Sequence, residues 1–259
     1  MFFFPGKIID YFYPVLNDGT GMKKESGPFR FKQFIVHHDR CAMKVGTDAV
    51  LLGAWTNVAG AKTILDIGTG SGILSLMLAQ RTPSNTKIDA VEIEQSDFLQ
   101  ATENARHSPW PEKINVHHTS IQTYQTQTQY DLIICNPPFF VNSLLPPSPS
   151  RKQARHTGAL SNGDLLAAVK RLLSRAGTFS VILPTAEGVQ FQSAAKEFGL
   201  YPSRLLAFFP RKQKTSERWL MEFTFKQQSA PTEKLILHDQ GNQWSDEYKA
   251  LTGDFYLHV

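Results

Sequence analysis

The sequence predicts an α/β fold in which a mostly parallel sheet of about seven strands is covered by helices and ends in an antiparallel hairpin. Three observations predict this fold. Short apolar runs alternate with helical patterns along most of the chain, as in parallel strands joined by crossover helices. A glycine-rich turn links the first of these strands to its helix. The last two predicted strands are separated only by a short basic turn, so we expect them to pair with each other.

The composition limits the class of protein. With 259 residues, 29.1 kDa and 41% hydrophobic residues, the chain can bury the core of one large α/β domain. The two cysteines, Cys41 and Cys135, form no CxxC pair, which favours a reducing compartment. No apolar run approaches the roughly 20 residues of a membrane span. We therefore expect a cytoplasmic monomer that does not associate with membranes.

The N-terminal stretch, residues 1–28, differs from the rest of the chain. It combines an aromatic patch with a turn-like run at 17–21 and has no sustained helical or alternating period. We interpret it as an arm that is either disordered or a mis-assigned start. Residues 29–259 are assigned to a single domain.

The segment before the first central strand contains a short extended stretch and a helix. Residues 29–36 alternate loosely and predict a short strand or hairpin arm. His37 and His38 are adjacent on one loop with no third ligand in view, so we predict no metal site. Thr47 or Asp48 is a suitable N-cap for the next helix, whose inward side chains are expected to be Val50, Leu51, Leu52 and Trp55.

The strongest local pattern is a strand, a glycine turn and a helix at residues 63–79. Gly68, Gly70 and Gly72 let the backbone approach a ligand, and the start of the helix offers unpaired N–H groups. Twenty residues after Gly72, the next strand ends in Glu92, which can accept both hydroxyls of a ribose. The pattern predicts a nucleotide-binding βαβ unit rather than a structural loop.

Asp66 distinguishes between the nucleotides that such a unit binds. The glycine spacing is GxGxG rather than the GxGxxG of dinucleotide-binding proteins, and Asp66 stands just before the turn. An acid here repels a pyrophosphate but attracts an ammonium. This favours S-adenosylmethionine (SAM), whose amino-acid end carries an amine, over NAD.

The next predicted elements lead to the adenine end of a nucleotide site. Residues 96–107 predict a helix and residues 114–117 a strand. Ser120 and Ile121 then follow at the position where nucleotide-binding sheets of this kind hold an adenine ring. Residues 122–129 are rich in Gln and Thr and predict a solvated connection.

The strand at 132–135 stops at Asn136-Pro137-Pro138-Phe139, because two prolines forbid further ladder hydrogen bonds. The Asn136 side-chain oxygen and the Pro137 carbonyl can each accept one proton of an amine, while Phe139 stacks on its plane. Pro138 helps to fix the backbone. The segment therefore predicts a site for a planar group that carries an NH2, the alternative being a simple proline turn at a strand end.

The rest of the chain predicts helices at 165–173 and 186–198 and strands at 178–183, 201–209 and 218–225. Positive charge is concentrated here, because residues 141–218 carry a net charge of +8 and the remainder carries −4. A basic surface beside a ligand site favours a polyanionic substrate, although a solvated basic face is the alternative. The candidate contacts in the two basic segments are Arg151, Lys152, Arg155, Arg211 and Lys212.

The order of elements resembles the Rossmann-like fold of class I SAM-dependent methyltransferases. With Asn-Pro-Pro-Phe, it is similar to the branch that methylates planar NH2 groups, either N6 of adenine or the side-chain amide of glutamine. The segments at 31–34, 38–48, 103–104, 108–110 and 248–256 further resemble bacterial tRNA adenine-N6-methyltransferases. Two positions differ from that family, because Ser120 stands where it usually has Asp and Phe139 where Tyr is commoner.

The resemblance implies transfer of a methyl group from SAM to N6 of an adenine in tRNA, with adenine 37 of a valine tRNA as the expected target. It implies that catalysis rests on Asn136, Pro137, Pro138 and Phe139. The residues expected to hold SAM are Lys44, Thr47, Asp48, Asp66, Gly68, Gly70, Gly72, Glu92, Ser120, Ile121 and Asn136. Arg40 joins the basic residues above as an expected RNA contact.

Two other functions remain open at this point. A protein glutamine N5-methyltransferase shares Asn-Pro-Pro followed by an aromatic residue, but no helical substrate-binding domain precedes the SAM unit and the basic excess suits RNA better. The second alternative is a protein that binds SAM or RNA without catalysis.

Overall fold

The computed structural model describes residues 27–138, 160–239 and 241–258. The predictions for residues 1–26, and those for Phe139, Arg151, Lys152 and Arg155, lie outside these ranges. Within them, no helix is long and apolar enough to cross a membrane.

Six helices and ten strands follow one another along the described chain, mostly in alternation. The strands are β1 (Phe29–Arg30), β2 (Ile35–Val36), β3 (Thr63–Ile67), β4 (Lys87–Glu92), β5 (Ile114–His118), β6 (Tyr130–Cys135), β7 (Leu173–Pro184), β8 (Tyr201–Arg211), β9 (Arg218–Thr224) and β10 (Thr232–His238). The helices are α1 (Thr47–Trp55), α2 (Ile73–Arg81), α3 (Gln95–Arg106), α4 (Asn162–Leu172), α5 (Thr185–Glu197) and α6 (Asp246–Thr252).

The main sheet has eight strands in the order β10-β8-β9-β7-β6-β3-β4-β5. Among these strands only β9 runs antiparallel to its neighbours. The chain builds outward from β3 through β4 to β5 and then returns to β6 on the other side of β3. This reversal places a crevice at the carboxyl ends of β3 and β6, where open α/β sheets bind ligands. The predicted α/β fold is confirmed.

The sheet differs from the prediction in two ways. It has eight strands rather than about seven, because β10 follows the predicted hairpin and pairs parallel to β8 at the edge. The β8–β9 hairpin itself is confirmed, but β9 lies between β7 and β8, so the hairpin is not the edge of the sheet. β10 gave a weak pattern because Leu235 is its one buried residue.

The core lies on both faces of the sheet, which explains the unbroken apolar runs of the central strands. Successive strand residues point to opposite faces, so Ile64 packs in one cluster with α1 and α2 and Leu65 in the other with α4 and α5. Ile134 and Cys135 divide in the same way. Burial on both faces holds β3 and β6 rigidly, and with them the segments at their ends.

The N-terminal part of the described chain follows the prediction apart from a helix cap. β1 and β2 form the expected hairpin arm, and the inward face of α1 is buried as expected. The predicted cap is wrong, because α1 begins at Thr47 with Gly46 as its N-cap, a residue that has no side chain to close the first turn. The Asp48 carboxylate instead accepts a hydrogen bond from Arg218 Nε at 2.9 Å.

Candidate active site

The glycine turn and the Asn-Pro-Pro segment lie side by side at the crevice. Ile67, the last residue of β3, is paired with Cys135, the last residue of β6. The backbones that leave these two residues therefore run next to each other at one edge of the sheet. Two segments about 65 positions apart in sequence thus form one site.

The glycine turn has a backbone that other residues rarely adopt. Gly68, Gly70 and Gly72 have φ values of 68°, 56° and 82°. A Cβ atom at Gly68 or Gly70 would meet no atom within 4 Å, so open space lies above the turn at these two positions. At Gly72 a Cβ would lie 3.4 Å from Ala101, which shows how closely α3 approaches.

The Asp66 carboxyl group is fully buried behind this turn. Its Oδ2 accepts hydrogen bonds from the Thr69 hydroxyl at 2.6 Å, the Ser75 hydroxyl at 2.7 Å and the Ser75 N–H at 3.2 Å. Its Oδ1 is buried and has no hydrogen-bond partner among the described residues. Burial raises the pKa of Asp66 to about 6, against the opposing effect of these hydrogen bonds. Asp66 therefore keeps one unused acceptor atom behind the glycine turn.

Glu92 closes the end of β4 and is already hydrogen bonded. Oε2 accepts from the Gly70 N–H at 2.8 Å, and Oε1 accepts from the N–H groups of Ile93 and Glu94 at 2.8 and 3.0 Å. A carboxylate has about four acceptor positions, so one remains. Glu92 can take one ribose hydroxyl as it stands, and a second hydroxyl must displace one of these bonds.

Ile93 is a candidate contact that the sequence reading missed. It follows Glu92 directly, and 43% of its surface is exposed at this strand end. It offers an apolar face to a purine ring next to the residue that takes the ribose. Apolar exposure can be recognised only once the strand end has been located in space.

Ser120 and Ile121 lie at the end of β5, next to the end of β4. Ile121 is buried, and the Ser120 hydroxyl lies 2.8 Å from the Thr123 hydroxyl within a local turn. The Thr119 N–H donates to the Glu92 carbonyl at 2.9 Å, which ties the two strand ends together. Ser120 is therefore near Glu92 and engaged in its own turn.

A cavity of about 530 Å³ lies over the carboxyl ends of β3, β6, β8 and β10. The predicted site residues on its wall are Lys44, Thr47, Asp48, Gly68, Gly70, Asn136 and Arg211. Asp66, Gly72, Glu92, Ser120 and Ile121 are not on this wall. The Asn136 Oδ1 atom is buried and lacks a hydrogen-bond partner among the described residues. The structure thus places an unused acceptor between the glycine turn and the region near β8 and β10.

Asn104 of α3 joins the loop before α1 to the glycine turn. Its side-chain amide accepts from the His37 N–H at 3.0 Å and donates to the His37 carbonyl at 2.7 Å and the Ser71 carbonyl at 2.8 Å. Asn104 is 1% exposed; its bond to Ser71 is buried and its two bonds to His37 are partly buried. The bonds hold two walls of the site in register, and their long sequence separation hid them from the sequence reading.

The loop that Asn104 anchors contains a neutral histidine and a positioned lysine. The Val45 N–H donates to His38 Nδ1 at 3.1 Å, and Lys44 Nζ donates to the His38 carbonyl at 2.8 Å. Burial lowers the pKa of His38, and the Lys44 charge lowers it further. Among the described residues, no group of three or more His, Cys, Asp or Glu side chains is arranged to hold a metal ion.

The basic residues predicted to contact RNA occupy different places. Arg40 is half exposed and pairs with Glu103 at 3.1 Å on the surface of α3. Arg211 lies on the cavity wall, where its guanidinium donates to the Gly241 carbonyl and to Asn242 Oδ1. Lys212 is exposed on the β8–β9 turn.

Comparison with known proteins gives the same picture over most of the chain. Residues 42–183 match the family model described as "Methyltransferase small domain". A protein of Bacteroides thetaiotaomicron named tRNA1(Val) (adenine(37)-N6)-methyltransferase is 45% identical over 231 residues, covering 89% of this chain and 98% of the relative. A protein of the same name from Aeromonas hydrophila is also 45% identical, over 91% of this chain and 99% of its own length.

The fold is also similar to a solved structure. A crystal structure from Agrobacterium tumefaciens, described as a predicted O-methyltransferase, superimposes with a TM-score of 0.60. The match covers 80% of this chain and 96% of that one, with 18% sequence identity. At this identity the likeness supports the fold alone.

Proposed function

The chain belongs to the tRNA1(Val) (adenine(37)-N6)-methyltransferase family, and from this premise we propose that it transfers a methyl group from SAM to N6 of adenine 37 in a valine tRNA. The observation that carries the proposal is the Asn136 oxygen, which is buried on the cavity wall with no partner among the described residues. A buried acceptor without a partner is costly, and the amine of a bound adenine would satisfy it.

The residues beside the cavity fit SAM. We propose that the unused Asp66 Oδ1 atom accepts from its ammonium and that Glu92 accepts from its ribose. The open space above Gly68 and Gly70 leaves room for the chain between these two ends. Ile93 and Ile121 are proposed as apolar contacts of its adenine ring, next to Ser120.

The start of α1 is a suitable place for the carboxylate of SAM. Gly46, Thr47 and Asp48 line the cavity, and the N-cap Gly46 has no side chain that could cap the N–H groups of this first turn. Such N–H groups favour an anion, and the Lys44 ammonium lies on the same wall. Asp48 does not oppose this, because Arg218 pairs with it at 2.9 Å.

Catalysis on this proposal is mainly a matter of orientation. When bound, SAM supplies a methyl group on a positively charged sulfur. The Asn136 oxygen and the Pro137 carbonyl each accept a hydrogen bond from one of the two N6–H groups. These two bonds turn the nitrogen lone pair out of conjugation with the ring. Phe139 is proposed to stack on the adenine, and Pro138 to hold the Pro137 carbonyl in place. Orientation of this kind can supply on the order of 7–11 kcal/mol in favourable cases.

A strong base is not required by this arrangement. The N6 nitrogen becomes acidic only as the methyl group arrives, so its proton can leave to water after the bond has formed. The neighbouring Cys135 thiol is no candidate for a base, because full burial raises its pKa well above the usual range.

The tRNA contacts are proposed from charge and position. Arg40 and Lys212 are exposed, and Arg211 stands at the edge of the cavity. We propose that these three residues contact phosphates, together with Arg151, Lys152 and Arg155. Phosphate contacts orient an RNA without reading its sequence, so the choice of adenine must depend on the cavity.

The test uses purified protein, methyl-labelled SAM and total bacterial tRNA, followed by digestion of the RNA to nucleosides. The proposal predicts label in N6-methyladenosine, recovered from a valine tRNA and from few others. Label in a protein glutamine rather than in RNA would favour the glutamine methyltransferase. Binding of SAM with no transfer to any acceptor would favour a protein without catalysis.

A further inference from the structure

We propose that the part of the cavity between the ends of β8 and β10 is a subsite for the nucleotide adjacent to the target adenosine. The inference rests on the proposed function, since it concerns the RNA that carries this adenosine. It assigns a role to β10, the strand at the edge of the sheet beside β8.

Near the ends of β8 and β10, the cavity extends beyond the residues that are proposed to hold SAM. Glu92, Ser120 and Ile121, which are proposed to hold the nucleoside half of SAM, do not line it, so on that proposal this half lies outside it. Gly68 and Gly70, over which the amino-acid chain of SAM is proposed to pass, line its wall. The remainder extends past Asn136 toward β8 and β10, on the side from which the substrate must enter.

The walls of this remainder suit a nucleobase. Phe208, Pro210 and Leu237 line it, and all three present carbon surface at the ends of the two strands. Phe208 is buried and fixed in the core, whereas Pro210 and Leu237 are partly exposed. A base can pack its apolar face against such carbon surface, a contact that does not require a particular sequence because every base has such a face.

The same region holds a guanidinium that is already positioned. Arg211 donates to the Gly241 carbonyl and to Asn242 Oδ1, which hold the end of β8 against the segment that follows β10. A guanidinium has five N–H donors, so several remain for a phosphate. Arg218 is paired with Asp48, and Glu217 is the other carboxylate on this wall. A base on the apolar wall with its phosphate on Arg211 satisfies both features.

The experiment measures kcat/KM for valine tRNAs, assembled by ligation, that lack the base on the 5′ or the 3′ side of the target adenosine. Wild-type protein is compared with two variants of the apolar wall, Leu237→Ala and Pro210→Ala. Removal of one neighbouring base takes away its contact with this wall, so it should lower wild-type kcat/KM about 10-fold. In the variants the same removal should cost less than about 3-fold, because the contact is already weakened.

Arg211→Gln tests the phosphate contact, and Lys214→Gln is its matched control. Lys214 lies on the same turn, is exposed and does not line the cavity, so both changes remove one positive charge from one turn. Arg211→Gln should raise KM for tRNA about 10-fold, and Lys214→Gln should change it less than about 2-fold. Circular dichroism and SAM titration check that each variant is folded.

The outcomes separate the subsite from the function. If removal of the base on either side of the target lowers kcat/KM by the same factor in wild type and in both wall variants, the neighbouring base does not lie here and the inference is overturned. Equal effects of Arg211→Gln and Lys214→Gln would overturn the phosphate contact. If the folded wild-type protein methylates no tRNA, the proposed function itself fails.

Discussion

The buried oxygen of Asn136 is the single atom on which the proposed chemistry depends most. We predict that Asn136→Ala abolishes methyl transfer, a fall in kcat on the order of 100- to 1000-fold, as for loss of other preorganised hydrogen bonds in active sites. SAM should still bind, because Asp66 and Glu92 are unchanged. Radiolabel transfer and calorimetric SAM titration measure the two effects separately.

A matched control for this change is Asn115→Ala. Asn115 is exposed on β5 and hydrogen bonds to Asp89 and His117, outside the cavity. It should leave transfer within about 2-fold of wild type, as for most surface substitutions. Turnover retained in Asn136→Ala would remove Asn136 from the mechanism.

Asp66 predicts a pH dependence of SAM binding. Burial raises its folded-state pKa to about 6 from its ordinary value near 3.8, so the carboxyl is largely protonated below pH 6. A neutral carboxyl attracts an ammonium less, so the SAM affinity should fall as the pH is lowered from 7 to 5, by up to about 10-fold per pH unit below 6. Calorimetric titration over this range measures it.

The same pKa shift makes the free energy of unfolding depend on pH. Between the two pKa values the unfolded chain has released the proton that the folded chain keeps, so the free energy of unfolding falls as the pH rises through this window. Asp66→Asn removes the titrating group and should flatten both profiles. A SAM affinity in wild type that does not change between pH 5 and 7 would contradict the role of Asp66.

Single residues were predictable where their chemistry is local in sequence. Asp66, Gly68 and Glu92 belong to one βαβ unit, and the prolines mark where β6 ends, so Asn136 could be placed on the same edge. Ile93 was missed because its exposure next to Glu92 can be seen only in the structure. The bonds that already occupy Glu92 were missed because two of them come from its own chain neighbours and one from the glycine turn.

Among the elements, α3 supports the site through Asn104. We predict that Asn104→Ala raises the dissociation constant for SAM several-fold and lowers the free energy of unfolding by about 1–3 kcal/mol, because the buried bond to the Ser71 carbonyl and the two partly buried bonds to the His37 backbone are lost. Chemical denaturation and SAM titration measure the two changes.

Glu103→Gln is the control on the same helix. Glu103 is exposed and loses only its surface ion pair with Arg40, which is worth about 0–1 kcal/mol. It should leave SAM affinity unchanged. If Asn104→Ala matched this control, the connection between the loop and the glycine turn would not support the site.

Element positions were predictable to within a few residues where apolar runs are bounded by turn residues. The predicted strand at 178–183 is longer in the structure, where β7 spans Leu173–Pro184. Its first half was missed because it pairs with β6 only through Leu173, before a register shift. The cap of α1 was mispredicted because the Asp48 carboxylate pairs with Arg218, a residue 170 positions away. Long-range ion pairs override local capping preferences, and sequence spacing does not reveal them.

For the whole molecule, we predict that removal of residues 1–21 leaves folding and methyl transfer unchanged. The interpretation of this stretch as an arm rests on its lack of any helical or alternating period. Thermal unfolding and transfer assays on the 22–259 protein measure the effect. A lower melting temperature or a loss of activity would contradict the assignment.

The overall fold was largely predictable because alternation of strands and helices leaves few topologies open. The shape of the cavity was not. It depends on β9 inserting between β7 and β8 and on β10 closing the edge, which together bring Phe208 and Leu237 toward the ligand side. Pairing order across a sheet depends on contacts between distant segments, so the substrate side of the site required the structure.

The measurement that tests the central claim most directly is the mass of the anticodon-loop fragment of a valine tRNA after reaction with this protein and SAM. The account predicts that the fragment containing adenine 37 gains one methyl group, located on N6 by nucleoside digestion, with wild type and not with Asn136→Ala. A methyl group on another nucleotide, or equal methylation by both proteins, would contradict it.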